Sequence, residues 1–344
     1  MNYTALTSRR GHGAAARRQG GVAVVTALLL TTLAVTIVAS VFWQQQVQVR
    51  SVENQRLQSQ TQWVLRAALD WTRIILREDA RNTSVDQLGE PWATPLPETR
   101  LDDYVDADGG QTSPVTLSGN VVDAQSRYNL SNLALGGTPN MNEIAVFRRL
   151  LASLRLDPSL AQATATAIAA TEPLVPQAAI NATNGVNLAN STNPGAPPPA
   201  AASAPAEVPA KAAQLLRIDD LITIPGYSPA IIEKIRDFVV ILPVQTPVNV
   251  NTAGPEVLAA KMNLSRDAVD KLVATRNQAY FLNAVDFQTR AQIKTALNDG
   301  DIDVKTDYFM VYSKVRMERA NLAMQALIYR KKTGNTTIMW LREY

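Results

Sequence analysis

The feature that most limits how this 344-residue chain can fold is a long apolar run, Val22 to Trp43, near the start of the sequence. An α-helix needs roughly 20 residues of this kind to cross a bilayer. Hydroxyl side chains within the run can hydrogen-bond to carbonyls of their own helix. Four arginines precede the run, and the next arginine is Arg50. Because positive charge stays on the cytoplasmic side, the sequence predicts a membrane helix with a cytoplasmic N-terminus.

Composition excludes many classes of enzyme. The chain has no cysteine, and its one histidine, His12, lies ahead of the apolar run. The rest of the chain therefore cannot form a disulfide framework, a thiolate or His-ligated metal site, or a Ser-His-Asp triad. The formal charge of +3 falls by four, to −1, when the leading arginines are left out, so basic character is confined to the leader. We find no phosphate loop and no nucleophile elbow, and we predict a protein that is not an enzyme.

Two glycines, Gly20 and Gly21, stand directly before the apolar run. The segment is compatible with an uncleaved signal anchor, whereas a secretory signal would have a shorter apolar region, of about 7–15 residues. The order Arg-Arg-Gln-Gly-Gly-Val resembles the prepilin-peptidase site of type IV pilins and type II secretion pseudopilins. That resemblance implies cleavage between Gly21 and Val22, N-methylation of Val22 and retention of the apolar helix. It places Thr26 at the fifth mature position, where most pilins carry a glutamate that pairs with the N-terminus of a neighbouring subunit.

The same helix is predicted to continue beyond the membrane and to end at Arg81-Asn82. Apolar residues recur there at i, i+3, i+4 and i+7, which predicts one face packed on a protein core. These residues are Val64, Ala67, Ala68, Trp71, Ile74 and Ile75.

Strand-like segments lie on both sides of a helical middle region. Residues 115–123 have strand composition with a central glycine, and alternating residues predict a further strand at 309–318. The apolar run 323–329 predicts another strand. A hairpin turn at 332–335 is predicted to lead into a return strand. Strands, then helices, then strands predict an α+β fold in which a helical domain is inserted into a sheet.

Several helix boundaries within the middle region are suggested by capping residues. Asn142 is predicted to cap a helix through Leu154, and either Asn251 or Thr252 to cap a later one. A helix is also expected to run from beyond Tyr227 through residue 240.

Two units in this region, 218–227 and 247–258, resemble helix-hairpin-helix modules, which grip nucleic-acid phosphates with backbone N–H groups near a Gly-apolar-Gly turn. The hairpin at 261–265 has no glycine, and the earlier unit has only Gly226. We predict no nucleic-acid partner. The alternative function is a membrane-anchored helix-hairpin-helix DNA receptor.

Two motifs carry a more specific resemblance. Residues 123–133 read Asp-x-Gln-x-Arg-aromatic-Asn-Leu-x-Asn-Leu, and residues 248–253 read Val-Asn-Val-Asn-Thr-Ala. Both strings, together with the missing glutamate at Thr26, are similar to the GspK family, the large minor pseudopilins of type II (general) secretion systems. The resemblance covers nearly the whole chain. It implies a long N-terminal helix packed on an antiparallel sheet, with a large helical domain inserted between strands.

The resemblance also implies a domain organisation. A prepilin leader, 1–21, precedes the transmembrane and amphipathic helix, 22–82. The first part of the pilin-like α/β domain, 83–133, is followed by the inserted helical domain, 134–297, and the C-terminal strands occupy 298–344. The Pro/Ala-rich stretch 189–210 is predicted to be a loop within the insert.

The function implied is assembly at the tip of a periplasmic pseudopilus that takes part in protein export across the outer membrane. The inserted domain would clash with a subunit stacked above it, and a tip subunit has no such neighbour. Partners implied are I- and J-type minor pseudopilins, the major pseudopilin and the prepilin peptidase. The chain would cross the inner membrane once and place its C-terminal domain in the periplasm.

Calcium is the one cofactor that the sequence suggests. Asp299, Asp301 and Asp303 alternate before the C-terminal strands and offer hard oxygen ligands, and some members of the family bind calcium. The EF-hand pattern is not met, so a polar turn is the alternative interpretation. A second acidic cluster lies at Asp102, Asp103, Asp106 and Asp108.

Overall fold

A 63-residue helix, α1 (Gly20–Asn82), is the longest element of the computed structural model, which describes residues 20–101, 115–172, 214–293, 300–318 and 320–344. No glycine or proline occurs between Val22 and Asn82, so no residue type that breaks helices interrupts it. The chain forms two compact units, 1–60 and 61–344, and each is described by itself.

In the first unit, α1 exposes all of its side chains from residue 21 to residue 56. Its most apolar 18-residue window has a mean hydropathy of 2.5, and none of that window is buried. By length and composition, this helix can span a membrane.

The second unit is built on a five-stranded antiparallel sheet in the order β1-β2-β3-β4-β5. Its strands are β1 (Leu96–Arg100), β2 (Val115–Asp123), β3 (Tyr308–Met317), β4 (Ala320–Arg330) and β5 (Thr336–Glu343). In the register, Val121 lies opposite Val311, and Met310 lies opposite Leu327. The sheet therefore joins strands that are nearly 190 residues apart in sequence.

One face of the sheet packs on the C-terminal part of α1. Leu65, Leu69 and Leu76 are buried there against a core that includes Phe309 and Trp92. The two aromatic rings meet edge to face, with their centroids 5.2 Å apart. The opposite face carries a smaller cluster, formed by Ala124, Val240, Leu242, Tyr308, Met310 and Leu327.

The face of α1 that meets the sheet differs from the sequence prediction. The buried positions are Thr61, Leu65, Leu69, Leu76 and Asp79. Of the predicted stripe, the residues that are only partly buried at the edge of this contact are Val64, Ala68 and Ile75, and the exposed ones are Ala67, Trp71 and Ile74. The helix carries apolar residues on two sides, so the predicted stripe is half in contact with the core and half exposed.

The helical region lies between β2 and β3, which are neighbours in the sheet. Its helices are α2 (Met141–Ser153), α3 (Leu160–Thr171), α4 (Pro229–Ile235), α5 (Pro255–Met262), α6 (Arg266–Gln278) and α7 (Ala284–Arg290). The predicted α+β fold, with helices inserted between strands, is confirmed.

Short elements complete the described residues. The 3₁₀ helices are Pro91–Ala93, Ala124–Ser126, Leu130–Leu133 and Ile218–Thr223. Tyr128–Asn129 pairs in parallel with Val239–Val240, and Val248–Asn249 with Ile302–Asp303, whereas Ala134–Leu135 and Thr138–Pro139 form an antiparallel pair. The two parallel pairs connect the chain near the sheet to the insert.

Three local predictions within the insert were wrong. Asn140, not Asn142, caps α2, because its Oδ1 accepts the backbone N–H groups of Asn142 and Glu143. Gly254 is the N-cap of α5, whereas Asn251 Nδ2 donates to the carbonyl of Phe281 and the Thr252 hydroxyl donates to Asp123. The helix after Gly226 ends at Ile235, and residues 239 and 240 form a short strand.

Candidate functional site

The predicted processing site lies in the first turns of α1. A Cβ added to Gly21 would meet no atom within 4 Å, and the side chain of Val22 is 68% exposed. The Thr26 hydroxyl lies 3.0 Å from the carbonyls of both Val22 and Ala23, to which it can donate. Thr26 therefore satisfies its hydrogen bond within its own helix and brings no charge into the apolar segment. Leader residues 1–19 lie outside the described residues.

A second apolar surface lies on α1, on the side turned away from the sheet. This outward face consists of Trp63, Ala67, Trp71 and Ile74, which follow one another at intervals of four, four and three residues. Trp63 is 68% exposed and Trp71 is 54% exposed. Large aromatic side chains exposed in a row are typical of a protein–protein contact and not of a free surface.

A groove of about 520 Å³ adjoins the outward face. It begins beside Trp71 and continues between α1, the loop before β1, and β2. Its apolar lining includes Ile75, Pro91, Pro95, Leu96, Leu117 and Val121. The outward face and the groove together extend the apolar surface from the helix to the edge of the sheet.

A buried ion-pair cluster joins the end of α1 to the sheet. Arg330, on β4, donates from Nη1 to Asp79 Oδ2 at 2.7 Å and from Nη2 to Asp86. Its guanidinium lies 4.6 Å above the ring of Phe309. Burial raises the pKa of Asp79 to about 6 and also raises the pKa of nearby Glu90. Asp79, Asp86 and Glu90 are close enough to hold a metal ion, but Arg330 already pairs with Asp79 and Asp86.

Asp123, at the end of β2, connects the sheet to the insert. Its Oδ2 accepts hydrogen bonds from Asn249 Nδ2 at 2.9 Å and from the Thr252 hydroxyl, and its Oδ1 accepts from Gln125 N at 2.7 Å. Asn249 Nδ2 also donates to the carbonyl of Asp86 at 3.1 Å. Burial raises the pKa of Asp123 to about 6. The two sequence motifs thus meet at one carboxylate.

Other polar residues of the first motif complete this connection. Asn129 Nδ2 donates to the carbonyl of Val244 at 2.8 Å, and its Oδ1 accepts from Leu242 N at 3.1 Å. Asn132 Nδ2 donates to the carbonyl of Thr246 at 2.9 Å, and Asn132 Oδ1 accepts from Thr246 N at 3.0 Å. Both asparagines are buried, so these bonds satisfy groups that would otherwise be costly to bury. The motif at residues 123–133 therefore holds the insert against the sheet through buried hydrogen bonds.

The aspartates predicted to bind calcium have other partners. Asp301 Oδ1 lies 2.8 Å from the ammonium of Lys261, whose side chain is 2% exposed. Asp303 Oδ1 accepts a hydrogen bond from Val304 N at 2.7 Å. Asp299 and the cluster at 102–108 lie outside the described residues. Sequence reasoning did not single out Lys261, because a lysine in a hairpin gives no local sign of burial.

Within the described residues, the units resembling helix-hairpin-helix modules do not form a phosphate-binding hairpin. Asn263 occupies the left-handed position at the end of α5, with φ of 53°, where a nucleic-acid-binding hairpin would carry glycine. Ser265 Oγ accepts from Ala268 N at 3.4 Å and so covers the N-terminus of α6. Lys261, the hairpin's own cation, is buried. This arrangement does not favour DNA binding.

Comparison with known proteins agrees with this architecture. Two family models described as type II secretion system (T2SS), protein K, match residues 126–244 and 248–305, together more than half of the chain. Type II secretion system protein K of Pseudomonas aeruginosa strain PAO1 is 29% identical over 320 residues, which cover 89% of this chain and 87% of that protein.

A solved structure gives the same result for the fold. A chain in the crystal structure of the GspK-GspI-GspJ complex from the enterotoxigenic Escherichia coli type 2 secretion system matches with a TM-score of 0.62 and 16% sequence identity. The match covers 85% of this chain and 99% of that chain. The family models, the homologue and the shared fold place this chain in the protein K (GspK) family of the type II secretion system.

Proposed function

We propose that this protein is a minor pseudopilin, which assembles with I- and J-type minor pseudopilins at the tip of a type II secretion pseudopilus. It acts by assembly and not by catalysis. Family membership supports the secretion role, and the similar solved chain comes from a complex of GspK with GspI and GspJ.

The outward face of α1 is the observation that carries the proposal. A chain that acted alone would leave Trp63, Trp71 and Ile74 in water, although α1 already has an apolar side packed on the sheet. A helix from a neighbouring pseudopilin, anchored in the same membrane, would cover this face by side-to-side packing. Contacts with the major pseudopilin and the prepilin peptidase belong to the same proposal.

The proposed topology follows from α1. The helix crosses the inner membrane once, with its N-terminus in the cytoplasm and its C-terminal domain in the periplasm. The prepilin peptidase cleaves between Gly21 and Val22, and Val22 is then N-methylated. Uncharged Thr26 suits a tip position, where no subunit above offers an N-terminal ammonium to a glutamate.

Co-purification tests the assembly surface. The full-length double variant Trp63→Ala/Trp71→Ala, co-expressed with the I- and J-type pseudopilins, is expected to recover at least tenfold less of both partners, because it removes the two largest side chains of the contact. Leu282→Ala, which removes an exposed apolar side chain (59% exposed) from the insert, is the matched control and should recover normal amounts. Equal recovery by both variants would exclude the outward face as the contact. Mass spectrometry of the mature N-terminus tests processing separately and should find methylated Val22.

A further inference from the structure

A buried ammonium group lies where the sequence suggested a calcium ion. Lys261 Nζ, on α5, is 2.6 Å from Glu143 Oε1 and 2.8 Å from Asp301 Oδ1. Glu143 belongs to α2, and Asp301 lies directly before the short strand Ile302–Asp303. One cation thus holds together two helices of the insert and the turn that leads back to the sheet.

The two carboxylates are held in position independently of Lys261. Glu143 Oε2 accepts a hydrogen bond from the Tyr128 hydroxyl at 3.0 Å. Burial raises the pKa of Tyr128 well above its usual value, so this hydroxyl stays protonated and remains a donor. The backbone carbonyl of Asp301 accepts from Val248 N at 3.2 Å. Arg149 Nε donates to the carbonyl of Ala260 at 2.8 Å and so ties α2 to α5.

The described residues do not fit a calcium ion at this position. Calcium takes six to eight oxygen ligands at about 2.3–2.6 Å. An ion bound to both Glu143 Oε1 and Asp301 Oδ1 would overlap Lys261 Nζ and would be repelled by its charge. The third predicted ligand, Asp303, accepts the N–H of Val304 through its Oδ1.

We propose that Lys261 is a built-in cation, which replaces a divalent metal ion between Glu143 and Asp301 and makes the attachment of this turn to the insert independent of calcium. The proposal concerns the stability of the chain itself and holds whether or not the chain assembles with other pseudopilins.

The paired carboxylates beside Lys261 are open to solvent through a cleft. Glu143 and Asp301 line an open polar cleft of about 370 Å³, together with Asn132, Asn142 and Gln245. Two carboxylates face one ammonium, and the cleft gives an ion from solvent access to them. Shortening Lys261 to alanine would therefore leave two carboxylates beside this cleft for a divalent ion to use.

The experiment measures the thermal midpoint and bound calcium of the full-length protein in detergent. The wild-type midpoint should be the same, within about 1 °C, in EGTA and in millimolar CaCl₂. Lys261→Ala should melt roughly 5–10 °C lower in EGTA, because it leaves buried carboxylates unpaired, and CaCl₂ should restore part of that loss. Lys271→Ala, at an exposed position on α6, is the matched control and should melt like the wild type in both buffers.

The wild-type arm keeps the proposal testable even if Lys261→Ala does not fold. After dialysis against calcium, the wild-type protein and Asp301→Asn should carry the same amount of bound calcium. One equivalent of calcium on the wild-type protein that is absent from Asp301→Asn would overturn the proposal. A folded Lys261→Ala protein that melts like the wild type in EGTA, or that CaCl₂ does not stabilise, would also contradict it.

Discussion

Single buried polar residues hold the parts of the second unit together. Arg330 connects β4 to the end of α1 through Asp79 and to the following loop through Asp86. Asp123 connects β2 to the insert through Asn249 and Thr252. In an apolar interior such groups are tolerated only when they are paired, so each one determines which elements must meet.

Replacing Arg330 by methionine tests this at the residue scale. Arg330→Met leaves Asp79 and Asp86 buried without their cation, and we expect the free energy of unfolding to fall by about 3–5 kcal/mol. Arg316→Met on neighbouring β3 is the matched control, because the Arg316–Glu98 pair is 55% exposed on both sides and should be worth at most about 1 kcal/mol. Urea unfolding of both proteins gives the comparison. Similar losses of unfolding free energy in the two variants would show that the buried cluster stabilises the protein no more than an exposed ion pair does.

Among the elements, four helices of the insert begin at side-chain caps, which sequence patterns locate only approximately. Ser228, Ser265 and Asn283 each accept a backbone N–H group in the first turn of α4, α6 and α7, respectively. At α2 the same role falls to Asn140.

Paired alanine substitutions test the cap of α2. Asn140→Ala should lower the free energy of unfolding by about 1 kcal/mol, since it removes the acceptor of the Asn142 and Glu143 N–H groups. Asn142→Ala replaces an exposed side chain two residues later and should change stability by less than about 0.5 kcal/mol. Denaturant midpoints of the two variants show which asparagine caps the helix. A larger loss of stability for Asn142→Ala would show that Asn142 is the N-cap, as the sequence suggested.

Elements were predictable where the pattern was local. Alternation located β3, an apolar run located β4, and the absence of glycine and proline fits the uninterrupted length of α1. The buried face of α1 was not predictable, because the helix carries apolar residues on two sides and periodicity cannot tell a core contact from a contact with a partner. The pairing of Lys261 with Glu143 and Asp301 was equally hidden, since these residues are more than 35 positions apart in sequence.

At the scale of the whole molecule, buried carboxyl groups gather where α1, the sheet and the insert meet. Burial raises the pKa of Asp79 and Asp123 from 3.8 to about 6 and also raises the pKa values of Glu90 and Asp307. The folded protein therefore binds protons more tightly at this junction than the unfolded chain does. By linkage, the contribution of these groups to stability increases as the pH falls through about 6 and is complete below 3.8.

The wild-type protein should accordingly become more stable between pH 7.5 and pH 5.5, by about 0.8 kcal/mol for each group with a folded pKa of about 6. Groups whose pKa is lowered, such as Asp219 beside Arg236, lose their contribution only below 3.8 and do not oppose the change in this window. Asp123→Asn imitates the protonated carboxyl and should remove that residue's share of the pH dependence. Urea midpoints at pH 5.5, 6.5 and 7.5 measure both proteins. If the wild-type protein loses stability on acidification over this range, or if Asp123→Asn keeps the full slope, the junction does not take up protons as these pKa values require.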